Sequence, residues 1–313
     1  MLSRIADSLF WLNRYLERTD AILRTLHTNY TLSLDKGDYN ALHWRQLSAM
    51  FSSAEEEKRV HMEQNPLALV QHLIYDSENT NAIRVMVIKA RENARGAQDH
   101  ITKEVWEQVN QIYHLINNPL LQQRIMRNDT LSVLEQLGTQ LIHFNGVTDS
   151  TMPRNMGWNF MALGKFIERC IITLELSDRN FAESGYELTH SRDILYWRNL
   201  LLSLSGYELH LKNYRSTNYN QNVADQVLFN KQFTRSVIYC LDRIGFYLVK
   251  VIQRNQSDEA LSLQKNFGRL HSKVEYADMK MLQEKGVQAY LHEVKTDLFH
   301  FNHQLSHLFF SYA

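Results

Sequence analysis

Arg14, Glu17 and Arg18 stand three and four residues apart, and Lys165, Glu168 and Arg169 repeat the set in the second half of the chain. On a helix this spacing puts a base, an acid and a second base on one face. Two kinds of chemistry suit such a set. A carboxyl held among cations can act as a general acid or base, which makes Glu17 and Glu168 the catalytic candidates. Guanidinium forks can instead bind a carboxylate, because they meet both of its oxygens at once. The neighbours sharpen the choice. Phe10, Trp11 and Tyr15 interleave with Arg4, Arg14, Glu17 and Arg18, where a solvated face would carry Lys, Glu, Ser and Gln. In the second copy Arg154, Trp158, Met161, Lys165 and Glu168 fall on one continuous stripe. Charges among large apolar groups are buried as a rule, and buried charges need partners or a ligand. The plain alternative is helix-stabilising ion pairs, about 0.3–0.5 kcal/mol each when exposed. Recurrence in both copies and the aromatic setting favour a shared polar pocket or an interface.

A second basic group, Lys89-Ala90-Arg91-Glu92-Asn93-Ala94-Arg95, sets Arg84, Arg91 and Arg95 along one side of a helix. Its counterpart near Arg243 has lost Arg91 and Glu92, so a site of two-fold origin would now be asymmetric. Arg91, Glu92 and Arg95 therefore join the ligand- or partner-binding candidates, against an equally weighted reading as a solvated helix. His300, His303 and His307, with Asp297 nearby, have the spacing of metal ligands. The residues matching His300 in the first half lack the further histidines, and phenylalanines crowd the same helix, so these read as structural. The sequence calls for no metal and no cofactor. It has no Gly-rich phosphate loop, zincin motif or nucleophile elbow.

These side chains need helices to position them. Leu2, Ile5, Leu9, Leu12, Leu16, Leu23 and Leu26 form an apolar stripe, as do Phe160, Leu163, Ile167, Cys170 and Leu174. With only 3 Pro and 11 Gly, long helices are expected throughout, and no segment alternates like a strand. The first helix should run from about Leu2 to Leu32 and stop near Asp35-Lys36-Gly37-Asp38. The last helix of the first half should end at Phe144-Asn145-Gly146. Val147–Pro153, Asn213–Asn222 and Gln253–Glu259 read as connections.

The order of motifs repeats. Leu42-His43-Trp44-Arg45-Gln46-Leu47 returns as Leu195-Tyr196-Trp197-Arg198-Asn199-Leu200, and Leu141-Ile142-His143-Phe144-Asn145 as Leu298-Phe299-His300-Phe301-Asn302. Thr80-Asn81-Ala82-Ile83 is echoed by Thr234-Arg235-Ser236-Val237. Each lies about half a chain from its first copy. The expected fold is all-α: an internally duplicated helical bundle over 1–313, with repeat 1 at 1–148 and repeat 2 at 149–313 packed as one body.

A net charge of zero gives no field for nucleic acid or an anionic membrane. No apolar run approaches spanning length. The two cysteines, Cys170 and Cys240, sit at apolar helical positions and read as reduced core residues, which points to the cytoplasm.

Met1-Leu2-Ser3-Arg4-Ile5-Ala6-Asp7-Ser8-Leu9-Phe10-Trp11-Leu12-Asn13-Arg14-Tyr15-Leu16-Glu17-Arg18 closely resembles the opening of the bacterial alpha-E domain family. Ala90-Arg91-Glu92-Asn93-Ala94-Arg95, Met152-Pro153-Arg154, Gly157-Trp158 and Leu163-Gly164-Lys165-Phe166-Ile167-Glu168-Arg169 carry the resemblance across the whole chain. Asn13, Asp20 and Lys165 depart from the family's usual Gly, Glu and Arg. The resemblance implies an all-helical domain encoded beside, or fused to, a circularly permuted ATP-grasp protein, with a transglutaminase-like protein nearby. It implies an amidoligase system that modifies a peptide or a carboxylate-bearing small molecule. Within it this chain would be an accessory or substrate-binding partner, more a non-catalytic component than an enzyme. The alternative is a stand-alone enzyme acting on a peptide or amide through Glu17 or Glu168.

Overall fold

A computed structural model of the chain describes residues 2–36, 41–127, 129–189, 192–253 and 257–310. The described residues are 81% helical, forming 16 α-helices and one short 3-10 turn, with no strand. They divide into two compact units, Trp11–Pro153 and Met1–Phe10 with Arg154–Ala313. The long helix α1 (Ser3–Lys36) contributes residues to both.

The unit Trp11–Pro153 continues with α2 (Ala41–Phe51), α3 (Glu56–Glu63), α4 (Pro66–Tyr75), α5 (Ile83–Gly96), α6 (Lys103–Ile116), α7 (Pro119–Met126) and α8 (Thr130–Thr151). Pro66 and Pro119 each open a helix, where a missing N–H costs nothing, behind Asn65 and Asn118 caps that accept from Ala68 and Leu120 amides. Ile83, Met86, Val87, Ala90 and Ala94 make the buried face of α5, and Val105, Val109, Ile112 and Ile116 that of α6. Each fully buried Ile, Val or Met side chain here stabilises the fold by about 1.5–3 kcal/mol. Two polar rungs flank the seam between these antiparallel neighbours. Arg84 Nε donates to Asn117 Oδ1 at 2.8 Å, and Arg91 Nε to Asn110 Oδ1 at 2.7 Å. Helix α6 also packs on α8, and α1 meets α8 where His27 lies 3.5 Å from Glu135.

The second unit holds α9 (Met156–Glu183), α10 (Ile194–Ser203), α11 (Tyr207–Asn213), α12 (Tyr219–Leu228), α13 (Val237–Ile252), α14 (Asp258–Glu275), α15 (Met279–Lys285) and α16 (Val287–Phe310). Helix α9 packs on α13 and α16, and α14 packs on the same two, closing a ring of four. Gly245 permits the close approach of α13 and α14, since a Cβ there would sit 2.9 Å from Phe267 Cε1. Cys170 and Cys240 are buried and free on α9 and α13. The Cys240 sulfur hydrogen-bonded to it, and then burial, push the Cys170 thiol well above its usual range. The Phe10 ring lies tilted 4.9 Å from Phe310, and Phe160 meets Phe309 edge-on at 5.3 Å, so the start of α1, the start of α9 and the end of α16 share one aromatic cluster.

From α1, and again from α9, a helix of 28 residues or more is followed by three short ones, then two of intermediate length, a short one and a long one. Trp44 on α2 and Trp197 on α10 are both fully buried, while His143 on α8 and His300 on α16 are both exposed.

Several boundaries differ from the sequence reading. Helix α1 is not one of them: it reaches Lys36, inside the stop expected near Asp35-Lys36, and residues 37–40 lie outside those described. Helix α8 continues through Asn145 and Gly146 to Thr151, so only Met152–Asn155 connect it to α9. Its polar residues are accommodated because Asn145 and Thr151 bond the carbonyls of Leu141 and Val147, one turn back. The loop expected over Asn213–Asn222 ends early, because Asn218 caps α12 through the Gln221 amide and Asn220 is buried against Trp197. Of Gln253–Glu259, residues 254–256 are outside those described, and Asp258 is already helical.

Candidate functional site

In the unit Trp11–Pro153, α1 presents Arg14 and Glu17 at only 5% and 4% exposure. The Arg14 guanidinium lies 4.6 Å from the Trp11 ring centre, and Trp11 and Tyr15 are 5.3 Å apart. Lys89 on α5 reaches over the Tyr15 ring at 5.8 Å. A cation over an aromatic face is attracted by the ring quadrupole, more strongly where water is excluded. Arg18, half-buried, donates from Nη1 to Asn81 Oδ1 at 3.0 Å. Asn81 belongs to the turn that leads into α5, and its amide is held in turn by the buried Asn79 at 3.2 Å.

In the second unit Glu168 is 1% exposed, and Lys165 and Arg169 are half-buried. Arg169 Nη1 donates to the Thr234 carbonyl at 3.3 Å, and one turn on Thr173 Oγ1 donates to the Arg235 carbonyl at 2.8 Å. Both carbonyls belong to the turn before α13, whose N-cap is Ser236. Phe166 stacks on Tyr247 at 6.1 Å, with the Arg169 and Arg243 guanidiniums 5.3 and 5.8 Å from the Phe166 ring.

The arginine of each Glu-Arg pair therefore does the same task in its own unit. It fastens a long helix to the turn that starts the helix packed beside it: Arg18 to the turn before α5, Arg169 to the turn before α13. The glutamates are shut away from solvent. A general acid or base must touch the proton it moves. A carboxyl this deep acts on a substrate only through a cavity that reaches it.

The remaining candidates each have surroundings of their own. Arg91 is turned to α6, over Tyr113 at 4.4 Å and Trp106 at 5.6 Å, with Glu92 at 3.8 Å and exposed. Arg95 and Arg4 are exposed, in the last turn of α5 and the first turn of α1. Arg154 is exposed too, its guanidinium 3.6 Å over Trp158, a stacked cation at the entrance to α9. His300, His303 and His307 are exposed rather than packed in the core. Asp297 is bound instead to Lys273 at 2.5 Å. His303 and His307 line a cleft of about 370 Å³ with Asp258 and Glu259. The His307 charge contributes, after Glu259's own amide and the Ser257 hydroxyl, to holding the Glu259 carboxyl below its usual range.

Two polar groups escaped the sequence reading. Buried His210 on α11 shares a hydrogen bond of 2.8 Å through Nδ1 with Gln226, whose amide donates to the Gly206 carbonyl. Asp242, His271 and Glu275 come together from α13 and α14. Only the i, i+4 relation of His271 and Glu275 was visible beforehand, since Asp242 is brought in by packing alone.

Residues 1–310 match the family Alpha-E, described as a predicted alpha-helical domain with a conserved ER motif. The Glu-Arg dipeptide occurs twice in this chain, as Glu17-Arg18 and Glu168-Arg169. No curated protein and no solved structure matches the chain.

Proposed function

This chain belongs to the Alpha-E family, and from that premise we propose that it is a helical partner of an ATP-grasp-type ligase that forms amide bonds. It binds the ligase, or holds a peptide or carboxylate-bearing molecule for it, and does no covalent chemistry itself. One observation carries the preference over a stand-alone enzyme. Glu17 and Glu168 are 4% and 1% exposed, and the arginine beside each is occupied in fastening a neighbouring turn. In this reading the motif serves architecture, and recognition falls to exposed Arg4, Arg95 and Arg154, the last stacked on half-buried Trp158. Stacked Arg and Trp are residue types enriched where partners bind.

The common succession of helix lengths and the matched environments of Trp44 and Trp197 support reading the chain as two copies of one half-length unit, 1–148 and 149–313. Two free, buried cysteines fit a reducing cytoplasm. Among the described residues no helix is long and apolar enough to cross a membrane.

The test is reconstitution with a circularly permuted ATP-grasp protein encoded beside this chain. Co-elution, and ATP-dependent amide formation that rises when this chain is added, are the expected results. Arg154→Ala and Trp158→Ala should weaken the complex without unfolding the chain. Turnover of a peptide or amide by the purified chain alone would refute the partner role and support the enzyme. A transglutaminase-like neighbour can be examined in the same assay.

A further inference from the structure

Asp242 projects from α13, and His271 and Glu275, one turn apart, project from the facing side of α14. One donor atom from each lies within 4.8 Å of the others. His271 Nε2 is 2.6 Å from Asp242 Oδ1. Glu275 Oε1 takes Lys231 at 2.5 Å, but Glu275 Oε2 is buried and has no hydrogen-bond partner. A buried carboxylate oxygen without a donor is costly, and such an oxygen in a native fold asks for an explanation.

The geometry points to a binding site for a divalent transition-metal ion, and we propose that Asp242, His271 and Glu275 hold it. One imidazole and two carboxylates form a ligand set for zinc and its neighbours, and ions that prefer oxygen alone gain nothing from the imidazole. Three protein donors leave further coordination positions for water. The ion would satisfy the orphaned Glu275 oxygen and clamp α13 to α14. Lys231 does not close the site, because its side chain is 57% exposed and it engages the other carboxylate oxygen. It is a competitor that solvent can draw away. The ordinary alternative, a chain of ion pairs from Lys231 through Glu275 to His271 and Asp242, makes the opposite prediction for Lys231.

Calorimetric titration of the full chain with Zn2+, backed by Co2+ absorption, separates the two. A single site is expected, with Mg2+ a poor competitor. His271→Ala and Glu275→Gln should weaken Zn2+ binding at least tenfold, and His303→Ala with His307→Ala should leave it unchanged. Lys231→Ala should tighten binding, and at this exposed position it does not threaten the fold. The proposal is overturned if the chain takes up no Zn2+. It is equally overturned if His271→Ala and Glu275→Gln, checked as folded by circular dichroism, bind as wild type, or if Lys231→Ala fails to tighten binding. Zn2+ uptake that follows His303 and His307 would place the ion in the other cleft and also refute it.

Discussion

Removing the Glu168 carboxyl should destabilise this protein severely. Glu168 is 1% exposed, on a helix where Phe160, Met161, Leu163, Phe166 and Ile167 are also buried, and it is not an isolated charge. Deleting one member of a buried ionic set leaves its partners uncompensated, which costs about 3–5 kcal/mol. A surface pair would cost under about 1 kcal/mol. For a cooperative unit of this size each kcal/mol lowers the melting temperature by about 2–4 °C. Glu168→Ala should therefore melt about 6–20 °C below wild type. Glu168→Gln, which keeps the volume and a hydrogen-bonding amide, should fall between the two. Urea titration gives the free energy directly, provided the slope with denaturant is unchanged. Glu17→Ala, at 4% exposure, should behave alike. If both alanine variants unfold within about 1 kcal/mol of wild type, the carboxyls are not members of buried ionic sets, and the structural role assigned to the motif is wrong.

Other outcomes follow from the same geometry. Arg91→Ala should cost about 1.5–3 kcal/mol in urea titration, because it deletes a charged hydrogen bond to Asn110 at 2.7 Å and the stacking on Tyr113. Burial pulls the His210 pKa below its usual 6.5, against the raising effect of Gln226. The unfolded chain then takes up a proton that the folded chain refuses, so stability is complete above about pH 6.5 and falls as pH drops from there towards the folded pKa. His210→Asn, whose amide can replace the Nδ1 donor, should flatten that part of a melting-temperature profile; an unchanged profile would exclude His210 as its source. Cys170 and Cys240 should resist a thiol reagent in the native protein, and both should react after denaturation. Rapid native labelling of either would show that the α9–α13 seam opens readily.

The sequence announced the helices better than their ends. Apolar spacing marked α1 and α9 because their buried faces repeat every three or four residues, and the few prolines fall at helix starts or between helices. It misjudged α8 because Asn145, Gly146 and Thr151 look like breakers, yet two of them satisfy their own side chains one turn back. Burial of Arg14, Glu17 and Glu168 was legible from the aromatic residues around them. What Arg18 and Arg169 do was not, since Asn81 and the Thr234 carbonyl reach them across more than sixty residues of chain. Spacing also grouped Arg84, Arg91 and Arg95, but it could not show that the first two point to asparagines on α6. Local periodicity reports a residue's face; its partner is decided by tertiary packing.

The contact of Phe10 with Phe310 bears on the order in which the protein can be assembled. During synthesis the opening turns of α1 are made long before their aromatic partners at Phe309 and Phe310. The loop that this contact closes takes in α2 to α15, and closing loops of that length is entropically slow to reward. The unit Trp11–Pro153, contiguous in sequence, can condense while synthesis continues. The ends of α1 and α16 must wait for each other, and until they meet Phe10 and Phe160 present an adhesive apolar surface. Replacing Phe309 and Phe310 by alanine would prolong that exposure, so yield and aggregation during expression should be more sensitive to this one turn of α16 than its length suggests.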